Sequence, residues 1–132
     1  MDPHTHPVSH GRQVQADLRD PALALRAQIP QVYDAFKELS STVYVDGALD
    51  RKTKELMALA LAVSSQCDGC MASHARGAAR HGASAAEVAE TLAVCIQMMG
   101  GPGTVYAPRA FAAYQEFAES EPNPDSPDVT PA

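Results

Sequence analysis

DRKTKELMALALAVSSQCDGCMASHARGAARHG, from Asp50 to Gly82, is the stretch that decides the arrangement of the chain. Asp50 has the side chain of a helix N-cap, and Glu55, Leu56, Leu59 and Val63 follow at helical spacing. Ser64, Ser65 and Gln66 weaken that pattern. A second helix is expected from about Asp68 to Arg80, closed by Gly82. If the chain reverses at Ser64 to Gln66, the two helices form an antiparallel pair. Glu55, about ten residues before the turn, then stands beside His74, about nine after it. Cys67, Cys70 and His74 are spaced i, i+3 and i+7, so on a continuous helix they fall within roughly 60° of one another. Cys67 lies near a helix N-terminus, where the dipole and free N–H groups favour a thiolate.

Working outward, Ser84 and Glu87 form a capping box that opens a helix to about Met99. Val88, Thr91, Leu92, Cys95 and Met99 make its stripe, with Cys95 read as a small buried hydrophobe and Met98 and Met99 as core or interface filler. Gly100-Gly101-Pro102-Gly103 ends that helix, and a last one is expected over Thr104 to Ala118, with Phe111, Tyr114 and Phe117 on one face. Upstream, Pro30 suits a first helical turn, and Val32, Tyr33, Phe36 and Leu39 continue a stripe until Val43 to Asp50 breaks it at Asp46-Gly47. No alternating run is long enough for a strand. The expectation is all-α: a compact helical domain of about five to six helices over residues 16–118. Residues 1–15, rich in His, Pro and Ser, are expected to be a disordered tail in which His4, His6 and His10 are solvated. Residues 119–132, with four prolines and four acidic residues, are expected to be a second disordered tail.

The chain has 132 residues, 45% of them apolar and 5% aromatic, a mix suited to closely packed helices. A net charge of −6 with no offsetting basic cluster argues against nucleic acid and anionic membrane as partners. The longest apolar runs, such as Leu56 to Val63, are too short to cross a bilayer. Met1 to Gln15 has no apolar signal core, so the cytoplasm is the expected compartment. There a CxxC is expected to be catalytic or metal-binding rather than a structural staple. A carboxylate beside an imidazole beside a thiol is a proton relay. Zinc is the competing chemistry. It needs a fourth ligand, which Cys95 or His81 would have to supply; otherwise His81 reads as a cation at a helix C-terminus.

Glu55, eleven residues, then Cys67-x-x-Cys70-x-x-x-His74 resembles the signature of the carboxymuconolactone decarboxylase-like superfamily, in its alkylhydroperoxidase (AhpD-like) branch. His74 to Glu90 and Gly100 to Phe117 resemble the family's following segments, so the likeness spans roughly Ala22 to Ala118. The resemblance implies an all-helical fold that assembles into homo-trimers or homo-hexamers. It implies peroxidase or dithiol–disulfide activity with no haem, flavin or metal, acting on an organic hydroperoxide and recharged by a lipoyl- or thioredoxin-like thiol donor. By position it makes Glu55 and His74 the proton relay, Cys70 the attacking cysteine and Cys67 its resolving partner. The helix-dipole reading favours Cys67 as the thiolate instead. Many relatives carry His or Tyr before the second cysteine, where this chain has Gly69. The ring-decarboxylating branch generally lacks the CxxC, so decarboxylation is not expected. Two alternatives stand beside the peroxidase: a dithiol–disulfide electron carrier for a partner protein, and a non-enzymatic zinc or redox-sensing module.

Overall fold

The computed structural model describes residues 8–120. Six helices follow one another: α1 (Arg12–Gln28), α2 (Pro30–Val43), α3 (Arg51–Ser64), α4 (Asp68–Arg80), α5 (Ala85–Met99) and α6 (Gly101–Ala118). The described residues contain no strand, so the all-α expectation holds. Residues 1–7 and 121–132, seven of the fifteen residues of the expected N-terminal tail and most of the C-terminal one, lie outside the described residues.

Helices α3 to α6 enclose the core. α3 packs on α4 and α5, and α6 packs across α3, α4 and α5. Much of the buried surface is methyl-sized. Ala62, Ala72, Ala75, Ala78, Ala107, Ala110 and Ala113 are buried with Leu59, Val63, Met71, Val88, Leu92 and Phe117. Small side chains let helix backbones approach closely. Gly103 of α6 shows it: a Cβ there would lie 2.8 Å from the Ile96 Cα of α5. Tyr114, also buried, donates its hydroxyl to the Ala83 carbonyl at 2.6 Å and ties α6 to the α4–α5 link.

Two boundaries differ from expectation. The first helix begins at Arg12, inside the stretch assigned to the N-terminal tail. Its start docks on the far end of the chain, where the Arg12 N–H donates to the Glu116 carboxylate at 3.0 Å and the Arg12 guanidinium sits over the Phe117 ring. A polar run without a period hides such an anchor. The last helix begins at Gly101 rather than Thr104. Gly100, at φ +71°, ends α5 in a conformation L side chains rarely adopt, and Pro102 sits in the first turn, where its missing N–H is not needed.

The expected stripe on α2 forms a helix but not a core. No residue of α1 or α2 is buried, and Val32, Phe36 and Leu39 stand open to solvent, Phe36 at 68%. α2 rests chiefly on α1, and α1 lies against α4.

Candidate active site

The turn between α3 and α4 builds the site. Gln66 takes φ +54°, its N–H donates to the Val63 carbonyl, and the Cys67 N–H reaches back to the Ala62 carbonyl at 3.1 Å. This is a Schellman closure with glutamine in the place glycine usually takes. Cys67 is therefore the residue that closes α3 and also the N-cap of α4. Its backbone is extended (φ −100°, ψ 101°), and its sulfur accepts the Cys70 N–H at 3.3 Å. The helical-wheel count from Cys67 does not apply, because Cys67 precedes the helix; Cys70 and His74 share a face at i, i+4. Cys67 and Cys70 are joined as a disulfide with Cα atoms 5.2 Å apart, Cys67 half-buried and Cys70 exposed.

The reversal brings Glu55 and His74 together as the spacing anticipates. Glu55 Oε2 and His74 Nδ1 are 2.9 Å apart, and Glu55 is buried. The second carboxylate oxygen, Oε1, accepts from Arg51 Nε at 3.1 Å. Burial, the strongest single influence, pushes the Glu55 carboxyl upward. Hydrogen bonds and charge from His74 and Arg51 together outweigh it and bring the group below its usual range. Gly77, one turn beyond His74, makes room for this pair, since any Cβ there would overlap the Glu55 carboxylate. Tyr44, just past α2, closes the group: its ring lies 5.7 Å from the His74 ring, and the Arg51 guanidinium sits 5.3 Å from its centroid. Burial, then the Glu55 charge, keeps the Tyr44 hydroxyl protonated above its ordinary range.

A cleft of about 390 Å³ opens at this pair, lined among others by Phe36, Tyr44, Arg51, Glu55, His74 and Arg80. Neither cysteine is among its lining residues. Cys95 is buried in the core, its thiol donating to the Thr91 and Ala60 carbonyls, and burial pushes that thiol up, away from the reactive thiolate form. His81 is the C-cap of α4. Among the described residues no three of His, Cys, Asp and Glu stand close enough to hold a metal ion.

Sequence reasoning missed three members of the site. Arg51 could have been found as the i−4 partner of Glu55, and Gly77 as a lone glycine inside a helical pattern. Tyr44, thirty residues before His74, carries no local signal.

Comparison with known proteins agrees with this architecture. The sequence model of the carboxymuconolactone decarboxylase family matches residues 30–116. An uncharacterised protein of Cupriavidus necator is 42% identical over 91 residues, which is 69% of this chain and 80% of that protein. Uncharacterised protein 4 in the cox locus of Paracoccus denitrificans is 41% identical over 84 residues, 64% of this chain and 76% of its own length. The apo crystal structure of a carboxymuconolactone decarboxylase family protein from Legionella pneumophila superposes with a TM-score of 0.76 at 38% identity, covering 80% of this chain and 95% of that one.

Proposed function

The chain belongs to the carboxymuconolactone decarboxylase family, and from its α4 dithiol we propose that it is a thiol-dependent alkyl hydroperoxide reductase. One observation carries the reading: a Cys67–Cys70 pair at the start of α4 and, one turn after Cys70, a His74 already bonded to a buried carboxylate.

In the reduced enzyme the Cys70 thiolate attacks the distal oxygen of the hydroperoxide. The O–O bond breaks, Cys70 becomes a sulfenic acid, and the departing alkoxide takes a proton from the His74 imidazolium to leave as the alcohol. Cys67 then attacks the Cys70 sulfur. The S–S bond forms and the hydroxyl leaves as water, so two electrons have passed from the dithiol to the peroxide. An external dithiol of the lipoyl or thioredoxin kind attacks the exposed Cys70 sulfur and releases Cys67 as a thiolate. The Cys70 N–H and the α4 N-terminus favour that anion. The donor's second thiol displaces Cys70 and becomes a disulfide in turn. In this assignment Cys70 attacks because it is exposed and lies one turn before His74 on α4, and Cys67 leaves because it is the N-cap. The scheme uses no metal, haem or flavin. It is a cytoplasmic chemistry, since the dithiol cycles only where reducing thiols are supplied. Among the described residues no helix is long and apolar enough to cross a membrane.

The test is thiol counting on reduced, chelator-treated protein given one equivalent of cumene hydroperoxide. The expected result is rapid loss of two thiols into a Cys67–Cys70 bridge with Cys95 still free, slowed roughly 100-fold or more in His74→Gln. Three free thiols after exposure would overturn the peroxidase reading in favour of disulfide exchange with a protein partner. A donor trapped on Cys70 of Cys67→Ser would reveal that exchange.

A further inference from the structure

Glu55 is buried, and both of its carboxylate oxygens are committed, Oε2 to His74 and Oε1 to Arg51. The contacts close into a ring, because the Arg51 guanidinium lies over Tyr44 and the Tyr44 ring lies beside His74. We infer that Arg51, stacked on Tyr44, is a positioning residue that fixes the Glu55 carboxylate in the one orientation from which it can hold His74 by Nδ1. That leaves Nε2 as the ring nitrogen free for proton transfer.

The surroundings are built to keep this geometry. Lys54 Nζ donates to the Val43 and Val45 carbonyls at 2.8 and 2.7 Å, pinning the backbone on both sides of Tyr44 to α3. The Asp46 carboxylate accepts the Arg51 N–H at 2.7 Å and fixes the loop to the first turn of the same helix. On the opposite side Gly77 admits the carboxylate but no side chain. Without Arg51, Oε1 would be a buried acceptor lacking its partner, free to draw the carboxylate away from His74. The other ionisable groups lining the cleft are Arg76 and Arg80 of α4 and its C-cap His81, and α1 contributes only the uncharged Gln15. Arg51 is the permanently charged group bonded to the carboxylate itself. Its charge and its hydrogen bond both lower the Glu55 carboxyl.

The inference rests on the relay role proposed for the Glu55–His74 pair, but its first readout does not need peroxide turnover. Side-chain carboxyl NMR of Arg51→Met should show the Glu55 titration midpoint above that of wild type. The acid limb of the pH profile for peroxide-driven thiol loss should move up with it. Arg51→Lys keeps the charge but not the Nε geometry or the stack, so both shifts should be smaller, and it carries the test alone if Arg51→Met does not fold. An unchanged midpoint, or a rate loss equal at every pH and matched only by a lower melting temperature, would reduce Arg51 to a structural residue and overturn the inference. If wild type itself consumed no peroxide, the functional reading would fail while the titration still decided the role of Arg51.

Discussion

Glu55 is a charged residue placed inside the core, so its ionisation is linked to folding. Burial opposes the charge, yet His74 and Arg51 more than compensate, and the folded carboxyl sits below its ordinary 4.5. A depressed carboxyl contributes stability that is fully present above the unfolded value and is lost as pH falls through the folded one. The stability advantage of wild type over Glu55→Gln in urea should therefore be largest near neutrality and shrink as the pH is lowered through and below the ordinary carboxyl range. An advantage constant across that range would show that the ion pairs do not hold the carboxylate charged. The sequence allowed Glu55 and His74 to be placed together because a short turn leaves two helices few ways to lie. It gave no view of Tyr44, whose contact with His74 depends on how an intervening loop is stapled.

At the scale of elements, the helix ends are written in local chemistry. Asp50 accepts the Thr53 N–H at 2.8 Å and Ser84 accepts the Glu87 N–H at 3.1 Å, both at the positions their spacing indicates. Gly82, at φ +83°, closes α4, with the Ala83 N–H reaching the Ala78 carbonyl. Ser84→Ala removes one of these caps and should cost about 1 kcal/mol in chemical denaturation. Ser84→Gly should cost only a few tenths, by about the same peptide and protein scales. Equal stability of wild type and Ser84→Ala would mean that α5 is fixed by packing alone. Local rules failed where the deciding partner was remote. α1 starts at Arg12 because of Glu116 and Phe117, and its interior Pro21 further obscures the helical pattern.

Across the whole molecule, the apolar stripe of α2 is laid down by the sequence and left uncovered by the chain's own core. Val32, Phe36 and Leu39 remain exposed on a helix that also delivers Tyr44 to the site. Such a face fits a second copy of the chain, and we propose that it serves the homo-oligomer that the family resemblance implies. Sedimentation equilibrium should give a mass that is a multiple of 14.0 kDa, lowered by the double change Phe36→Glu and Leu39→Glu. A 14.0 kDa species at all concentrations would contradict assembly. By itself the sequence determined the helical class, the caps, and the presence of Glu55, Cys67, Cys70 and His74 on one hairpin. Those features follow from period, capping and chain connectivity, which act between near neighbours. Only the tertiary structure decided that Arg51, Tyr44 and Gly77 close around the carboxylate, and that α2 lies outside the core. A helical period says which residues share a face, but which faces meet is settled by packing between segments far apart in the chain.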